Sequence, residues 1–142
     1  MFTIFEKNFQ AARIIETLSY LFFLFSYLGT SLINPGIPEL KYYSKNFQLK
    51  DNEKLSDYQK CHQCNIIIPK KMNVTHCNVC KVCVSEQDHH CPWTGKCIGK
   101  YNIIQFYCFL FFLLIYIFST FVTFLLFIVY IQDETDKKKK NH

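Results

Sequence analysis

Two long apolar runs bracket a polar middle. Residues 17–33, TLSYLFFLFSYLGTSLI, carry no charge, and residues 103–131, IIQFYCFLFFLLIYIFSTFVTFLLFIVYI, form a 29-residue run that also carries none. The second run exceeds the roughly 20 residues that a helix needs to cross a bilayer, so it predicts a transmembrane helix. The first reaches about that length once Ile14, Ile15 and Glu16 are counted at the interface, which predicts another span over 14–33. A cleaved leader is the competing reading of the first run. Against it stand Glu6 and Glu16 beside Lys7 and Arg13, and the sequence INPGIPEL, which offers no small-x-small cleavage pattern.

Between the runs the pattern is irregular. Asn34, Pro35 and Gly36 break the first helix. Residues 37–60 mix charges and tyrosines without periodicity and read as a polar linker at the membrane surface, with room for a short helix. From Cys61 to Cys97 neither a period of 2 nor one of 3.6 is sustained, as expected where metal bonds stabilise a small domain in place of a hydrophobic core. Short β-hairpins around each Cys-x-x-Cys are expected there, and Gly95, Gly99 and Asn102 lead into the last helix. The expected fold class is an α-helical integral membrane protein with two transmembrane helices and an intervening small irregular or β-hairpin zinc-binding cysteine-rich domain. Its divisions are an N-terminal segment 1–13, a transmembrane helix 14–33, a cytosolic linker 34–60, the cysteine-rich domain 61–102, a transmembrane helix 103–131 and a lysine-rich tail 132–142.

Composition changes this picture through its cysteines. Seven of the eight fall within 34–102. They are either a disulfide framework in an oxidising compartment or thiolate metal ligands in a reducing one. The same segment holds ten lysines and no arginine against six acidic residues, and a short lysine-rich loop belongs on the cytosolic side. That placement favours metal. It also sends both ends of a two-helix chain to the lumen, which conflicts with the terminal DETDKKKKNH, whose four lysines prefer the cytosol.

A structural zinc ion takes four ligands drawn from Cys and His, commonly with paired cysteines two residues apart. Cys61 and Cys64 form one such pair, Cys77 and Cys80 another, and Cys80 with Cys83 overlaps it. His76, His89, His90, Cys91 and Cys97 are further candidates. Two tetrahedral sites use eight ligands, and the seven cysteines and four histidines of this region leave three over. His62, inside the first pair, is expected to point away. His89 and Cys91 make chemical sense as the free pair, because a thiol needs a nearby base to become a nucleophile, and Asp88 can orient the imidazole. Counting leaves this as one partition among several, and a double zinc module without chemistry stands beside it.

The motif DHHC at 88–91, within C-x2-C-x11-HC-x2-C-x2-C-x4-DHHCPW-x3-C-x4-N-x3-F, closely resembles the cysteine-rich domain of the DHHC protein S-acyltransferases, the palmitoyltransferases. The match runs from Cys61 to Phe106 and takes in Pro92, Trp93, Cys97, Gly99 and Asn102. The resemblance implies two structural zinc ions, one on Cys61, Cys64, His76 and Cys83, the other on Cys77, Cys80, His90 and Cys97. It leaves Asp88, His89 and Cys91 as the catalytic set. It further implies a long-chain acyl-CoA such as palmitoyl-CoA as donor, an acyl-Cys91 intermediate, and transfer to a cysteine of a substrate protein. Trp93 is expected at the interface or in the acyl pocket. The partners implied are membrane lipid, acyl-CoA and proteins with membrane-proximal cysteines, and no nucleic acid. The membrane is an endomembrane such as Golgi or ER, or the plasma membrane, with the cysteine-rich domain facing the cytosol.

The chain departs from the family in five ways. Family members carry four transmembrane helices where two are seen here, corresponding to the second and third, and the family's C-terminal Thr-Thr-x-Glu motif is absent. This leads to the expectation of a truncated chain whose acyl cavity is incomplete or completed by self-association. Asn34 stands where the family's Asp-Pro-Gly motif has aspartate. The spacing from Cys64 to His76 is two residues longer than the family's, and IIIPKKMNVT lacks its arginine. A non-catalytic membrane zinc module that partners a complete acyltransferase is the alternative function.

Overall fold

A computed structural model describes residues 4–39, 42 and 54–140. In chain order the elements are helix α1 (Ile4–Leu32), strands β1 (Tyr58–Cys61), β2 (Ile66–Pro69), β3 (Val74–Cys77), β4 (Val82–Ser85), β5 (His89–Cys91) and β6 (Lys96–Ile98), and helix α2 (Ile103–Lys140). The linker assigned to 37–60 lies largely outside the described residues, and its described part includes one short 3-10 turn, Leu55–Asp57. Both helices are long and apolar enough to cross a membrane, over Glu6–Leu32 and Ile103–Lys139. They flank the small cysteine-rich hairpin region, the architecture expected for the DHHC fold. Two compact units result. One holds the helical residues up to Ser26 and from Tyr107, and the other holds Tyr27–Phe106.

In the helical unit α1 and α2 run antiparallel. Their rings meet as Phe22 on Phe112 at 5.1 Å, Phe23 on Phe109 at 5.7 Å and Phe23 on Tyr116 at 6.0 Å. Between them the Ser19 and Ser119 hydroxyls lie 3.0 Å apart, both buried. Small hydroxyl residues let two helices approach closely where lipid supplies no hydrophobic drive. Ser26 and Thr123 turn their hydroxyls onto carbonyls of their own helix, so neither carries an unpaired donor into the apolar zone. The outward faces are apolar: Phe25, Leu114 and Phe118 are more than half exposed. Contiguous apolar surface of that kind belongs against lipid.

The helices outrun the apolar segments that announce them. α1 begins at Ile4, so residues 4–13 of the segment assigned to 1–13 belong to the span's own helix. α2 continues to Lys140 through the lysine-rich segment. Lys137 pairs with Asp133 at 2.6 Å and with Glu134 at 3.1 Å, the i,i+4 and i,i+3 spacings that support a helix outside lipid.

In the second unit α1 stops at the predicted breaker. The Asn34 carboxamide oxygen accepts from the backbone N–H of Gly36 (2.9 Å) and of Ile37 (2.8 Å), and Gly36 takes φ +117°, open to glycine alone. An amide oxygen does here what a carboxylate oxygen would do, so asparagine serves in the aspartate's place. The Lys96 ammonium donates to the carbonyls of Ser31 and Ile33, both at 2.8 Å, and so caps the negative end of α1.

The six strands pair as three antiparallel hairpins, β1–β2, β3–β4 and β5–β6, each a separate two-stranded sheet. Their cores are small and sulfur-rich. Ile66, Ile68 and Cys83 form one and Cys77, Val84 and Cys97 the other, with Cys61, Cys64 and Cys80 packed against them. Asn102, fully buried, joins the pieces: its amide donates to the carbonyls of Thr30 (3.2 Å) and Cys97 (3.1 Å), and its oxygen accepts from the Gly99 N–H (2.9 Å). Asn102→Ala leaves three buried backbone groups without this partner and is expected to cost about 2–4 kcal/mol. A fall in the thermal midpoint of the detergent-solubilised protein checks it, and an unchanged midpoint counts against the role.

Candidate metal centres and catalytic thiol

The strand register assembles the metal-binding groups. Pairing of β3 with β4 sets His76 opposite Cys83, and pairing of β5 with β6 sets His90 opposite Cys97. Each such pair is met by the Cys-x-x-Cys turn of the preceding hairpin. Cys61, Cys64, His76 and Cys83 form one group and Cys77, Cys80, His90 and Cys97 the other, with the ligand atoms of each group within 4.8 Å of one another. His76 Nδ1 lies 3.7, 3.3 and 3.9 Å from the sulfurs of Cys61, Cys64 and Cys83. His90 Nδ1 lies 3.8, 3.2 and 3.8 Å from those of Cys77, Cys80 and Cys97.

These spacings fit a metal ion. A tetrahedral ion with bonds of about 2.3 Å to sulfur and about 2.0 Å to nitrogen sets neighbouring sulfur–nitrogen pairs about 3.5 Å apart and sulfur pairs about 3.8 Å apart. All eight cysteines are free thiols. Burial, together with the neighbouring thiols, pushes Cys83 and Cys97 well above the ordinary thiol range. Clustered buried sulfurs of this kind shed their protons to a bound dication, which supplies the charge that water no longer balances. Both groups can therefore hold a metal ion, and each offers four protein ligands. His62 is exposed and belongs to neither group.

Three chemically capable residues stand outside both groups. Successive residues of a strand face opposite ways, so Cys91 points away from the group that takes in His90. It is 2% exposed. His89 presents Nδ1 to the Asp88 carboxylate at 2.8 Å, which leaves Nε2 as the nitrogen for the Cys91 thiol that it contacts. The Phe106 ring stands edge-on to the imidazole at 5.0 Å and 66°, fixing its plane. With side chains 39% and 55% exposed, His89 and Asp88 are open to solvent, so their contact orients the ring more than it stabilises the fold.

The electrostatics favour charge separation between these partners. Burial works against a Cys91 thiolate. Hydrogen bonds from the Thr94 hydroxyl, from the Thr94 and Trp93 backbone N–H groups and from His89 outweigh it and hold the thiol below its ordinary range. Burial likewise opposes an imidazolium at His89, but Asp88 and Cys91 hold its pKa above the ordinary value. Trp93 is 83% exposed on the turn after Cys91, and Cys108 is exposed on α2. Thr94 and Phe106 carry no signal of these contacts in the sequence: neither is a metal ligand, an acid or a base, and only the folded turn and the start of α2 bring them to the pair.

The DHHC palmitoyltransferase family profile matches residues 54–142. Mouse palmitoyltransferase ZDHHC7 is 40% identical over 83 residues, covering 56% of this chain and 25% of its own. Human palmitoyltransferase ZDHHC9 is 42% identical over 66 residues, covering 46% of this chain and 17% of its own. Zebrafish palmitoyltransferase ZDHHC16A is 44% identical over 52 residues, covering 37% and 13%. The chain thus spans a quarter or less of the length of these relatives, and the residues that the family profile matches include both Cys/His groups together with Asp88, His89 and Cys91. With the family profile covering more than half of its residues, the chain belongs to the DHHC palmitoyltransferase family.

Proposed function

We propose that the chain is a protein-cysteine S-acyltransferase, with Cys91 as nucleophile, His89 as its base and Asp88 as the group that orients the base. One observation carries the reading: Cys91 is buried outside both metal groups and in contact with an imidazole whose other nitrogen is held by a carboxylate. His89 Nε2 takes the thiol proton, and the Cys91 sulfur attacks the thioester carbonyl of a long-chain acyl-CoA. The CoA sulfur leaves with that proton, and the acyl group remains on Cys91. A substrate-protein thiol then gives its proton to His89, attacks the acyl-Cys91 carbonyl and departs acylated. Zinc would be held by Cys61, Cys64, His76 and Cys83 in one group and by Cys77, Cys80, His90 and Cys97 in the other, and would supply structural support that holds the hairpins in place.

Location supports the reading. Cys91 lies twelve residues before the apolar run that begins at Ile103. A saturated chain gains about 0.8 kcal/mol per buried CH₂, so its transfer is favoured beside lipid. The exposed indole of Trp93 suits an interfacial anchor or a wall for the acyl chain. The lysines of 34–102 favour a cytosolic face for the domain at 61–102, with membrane lipid, acyl-CoA and proteins bearing membrane-proximal cysteines as partners.

The test is to incubate the purified, metal-replete chain with labelled palmitoyl-CoA. A protein-bound label released by hydroxylamine is expected. Its absence with both metals bound overturns the reading in favour of a non-catalytic metal module. Asp88→Asn tests the orienting role: it keeps the size of the side chain but weakens the hold on Nδ1, and is expected to slow labelling by about 10²-fold, within the range a positioned base supplies. Labelling kinetics with metal content unchanged check it. A wild-type rate removes Asp88 from the mechanism.

A further inference from the structure

The three hairpins share one construction. Each first strand ends on a cysteine, Cys61, Cys77 or Cys91, and the second strand begins five residues later, at Ile66, Val82 or Lys96. The last turn residue has positive φ in all three: Asn65 at 52°, Lys81 at 58° and Gly95 at 63°. In every turn the backbone N–H groups two and three residues on point at the cysteine sulfur, from Gln63 and Cys64 to Cys61, from Val79 and Cys80 to Cys77, and from Trp93 and Thr94 to Cys91. The third turn position is Cys64 in the first hairpin and Cys80 in the second, but Thr94 in the third.

The ligand logic is equally regular. A turn's cysteine pair is completed by the His and Cys that face each other on the next hairpin: Cys61 and Cys64 by His76 and Cys83, Cys77 and Cys80 by His90 and Cys97. Along β3 the neighbours His76 and Cys77 serve different groups. Along β5 His90 serves a group and its neighbour Cys91 faces the other way. Cys91 occupies the position of Cys61 and Cys77, but its turn lacks the second thiol, and β6 leads into α2 with no further hairpin.

We propose that the Cys91 turn is a third metal knuckle of the same series, kept free of metal by threonine at its second ligand position. Its pair of N–H groups, which in the other two turns addresses a metal-binding sulfur, addresses in the third the sulfur of the nucleophile. Thr94 keeps the shape of the turn, its hydroxyl 3.4 Å from the Cys91 carbonyl and in contact with the sulfur, while withholding a ligand. The inference rests on Cys91 lying outside the two metal groups and on its assignment as nucleophile. Its test reads metal content alone and stands apart from acyl transfer.

Thr94→Cys restores the second thiol with little change of volume. The full chain, reduced and exchanged into cadmium, is assayed for bound ions and for sulfur-to-cadmium charge-transfer absorption. The native chain is expected to hold two ions, one for each Cys/His group. Thr94→Cys is expected to hold three, with a matching rise in absorption, the third on Cys91, the introduced thiol and the adjacent His89. Adding Cys91→Ser returns the count to two. Thr94→His supplies a nitrogen at the same position and is expected to behave likewise. A count of two in both single variants overturns the inference. So does a count below two, which makes Thr94 a support of the existing groups, or a third ion that survives Cys91→Ser.

Discussion

Cys91→Ala is expected to abolish hydroxylamine-labile labelling by palmitoyl-CoA while leaving metal binding by both Cys/His groups intact. The first half follows from chemistry: no other thiol outside the metal groups touches an imidazole held by a carboxylate, and Cys108, on α2, has no base at hand among its described contacts. Without a nucleophile the acyl-enzyme does not form, so the loss is complete and not partial. The second half follows from position. Removing a buried Sγ opens a small void at a cost of about 1 kcal/mol, whereas loss of a structural zinc ion costs on the order of 10 kcal/mol. Metal analysis alongside labelling separates the two effects. A variant that loses an ion makes Cys91 a ligand and the partition of the eight ligands wrong. A variant that still takes up label moves the nucleophile elsewhere.

Much of this site is legible before folding because metal chemistry constrains sequence so tightly. Four ligands at fixed bond lengths demand short spacings, and Cys61–Cys64 and Cys77–Cys80 show them. The apolar runs are legible for a similar reason, since a bilayer sets a minimum length. The pairing across strands is not. Nothing in the order of residues states that His76 faces Cys83 or that His90 faces Cys97, because register is fixed by hydrogen bonds between strands and by turn geometry. The likeness of PWTG to HQCN and NVCK is hidden for the same reason: without the shared pairing and the shared positive φ, a turn with no second cysteine reads as unrelated. Asn102 is hidden too. Its signal is one polar residue before an apolar run, and only the fold shows it satisfying three backbone groups at once. Two helix ends, the start of α1 at Ile4 and the end of α2 at Lys140, lie beyond the apolar runs, because hydropathy marks apolar length and not helix length. Asp133, Glu134 and Lys137 continue α2 through side-chain pairing that a hydropathy pattern does not register.

The alternation that separates Cys91 from the group of His90 also ties the two Cys/His groups together, and this sets the second large effect. The β3–β4 hairpin lends His76 and Cys83 to one group and Cys77 and Cys80 to the other, so loss of an ion from either group would free a hairpin that also serves the other. The apolar cores cannot compensate. They contain few residues besides the ligand cysteines themselves. A structural zinc ion contributes about 10–16 kcal/mol of apparent binding energy, as much as the whole stability of an ordinary domain. Cys77→Ser is therefore expected to release its own ion, to loosen the group that His76 and Cys83 complete, to expose the thiols of both groups to reagent and to end acyl labelling. His62→Ala, an exposed change inside the first turn, is expected to do none of this. Metal analysis and thiol titration check both variants. Release of one ion with Cys61, Cys64 and Cys83 still protected would show instead that the two groups fold independently, and the shared hairpin would then be a matter of topology without energetic consequence.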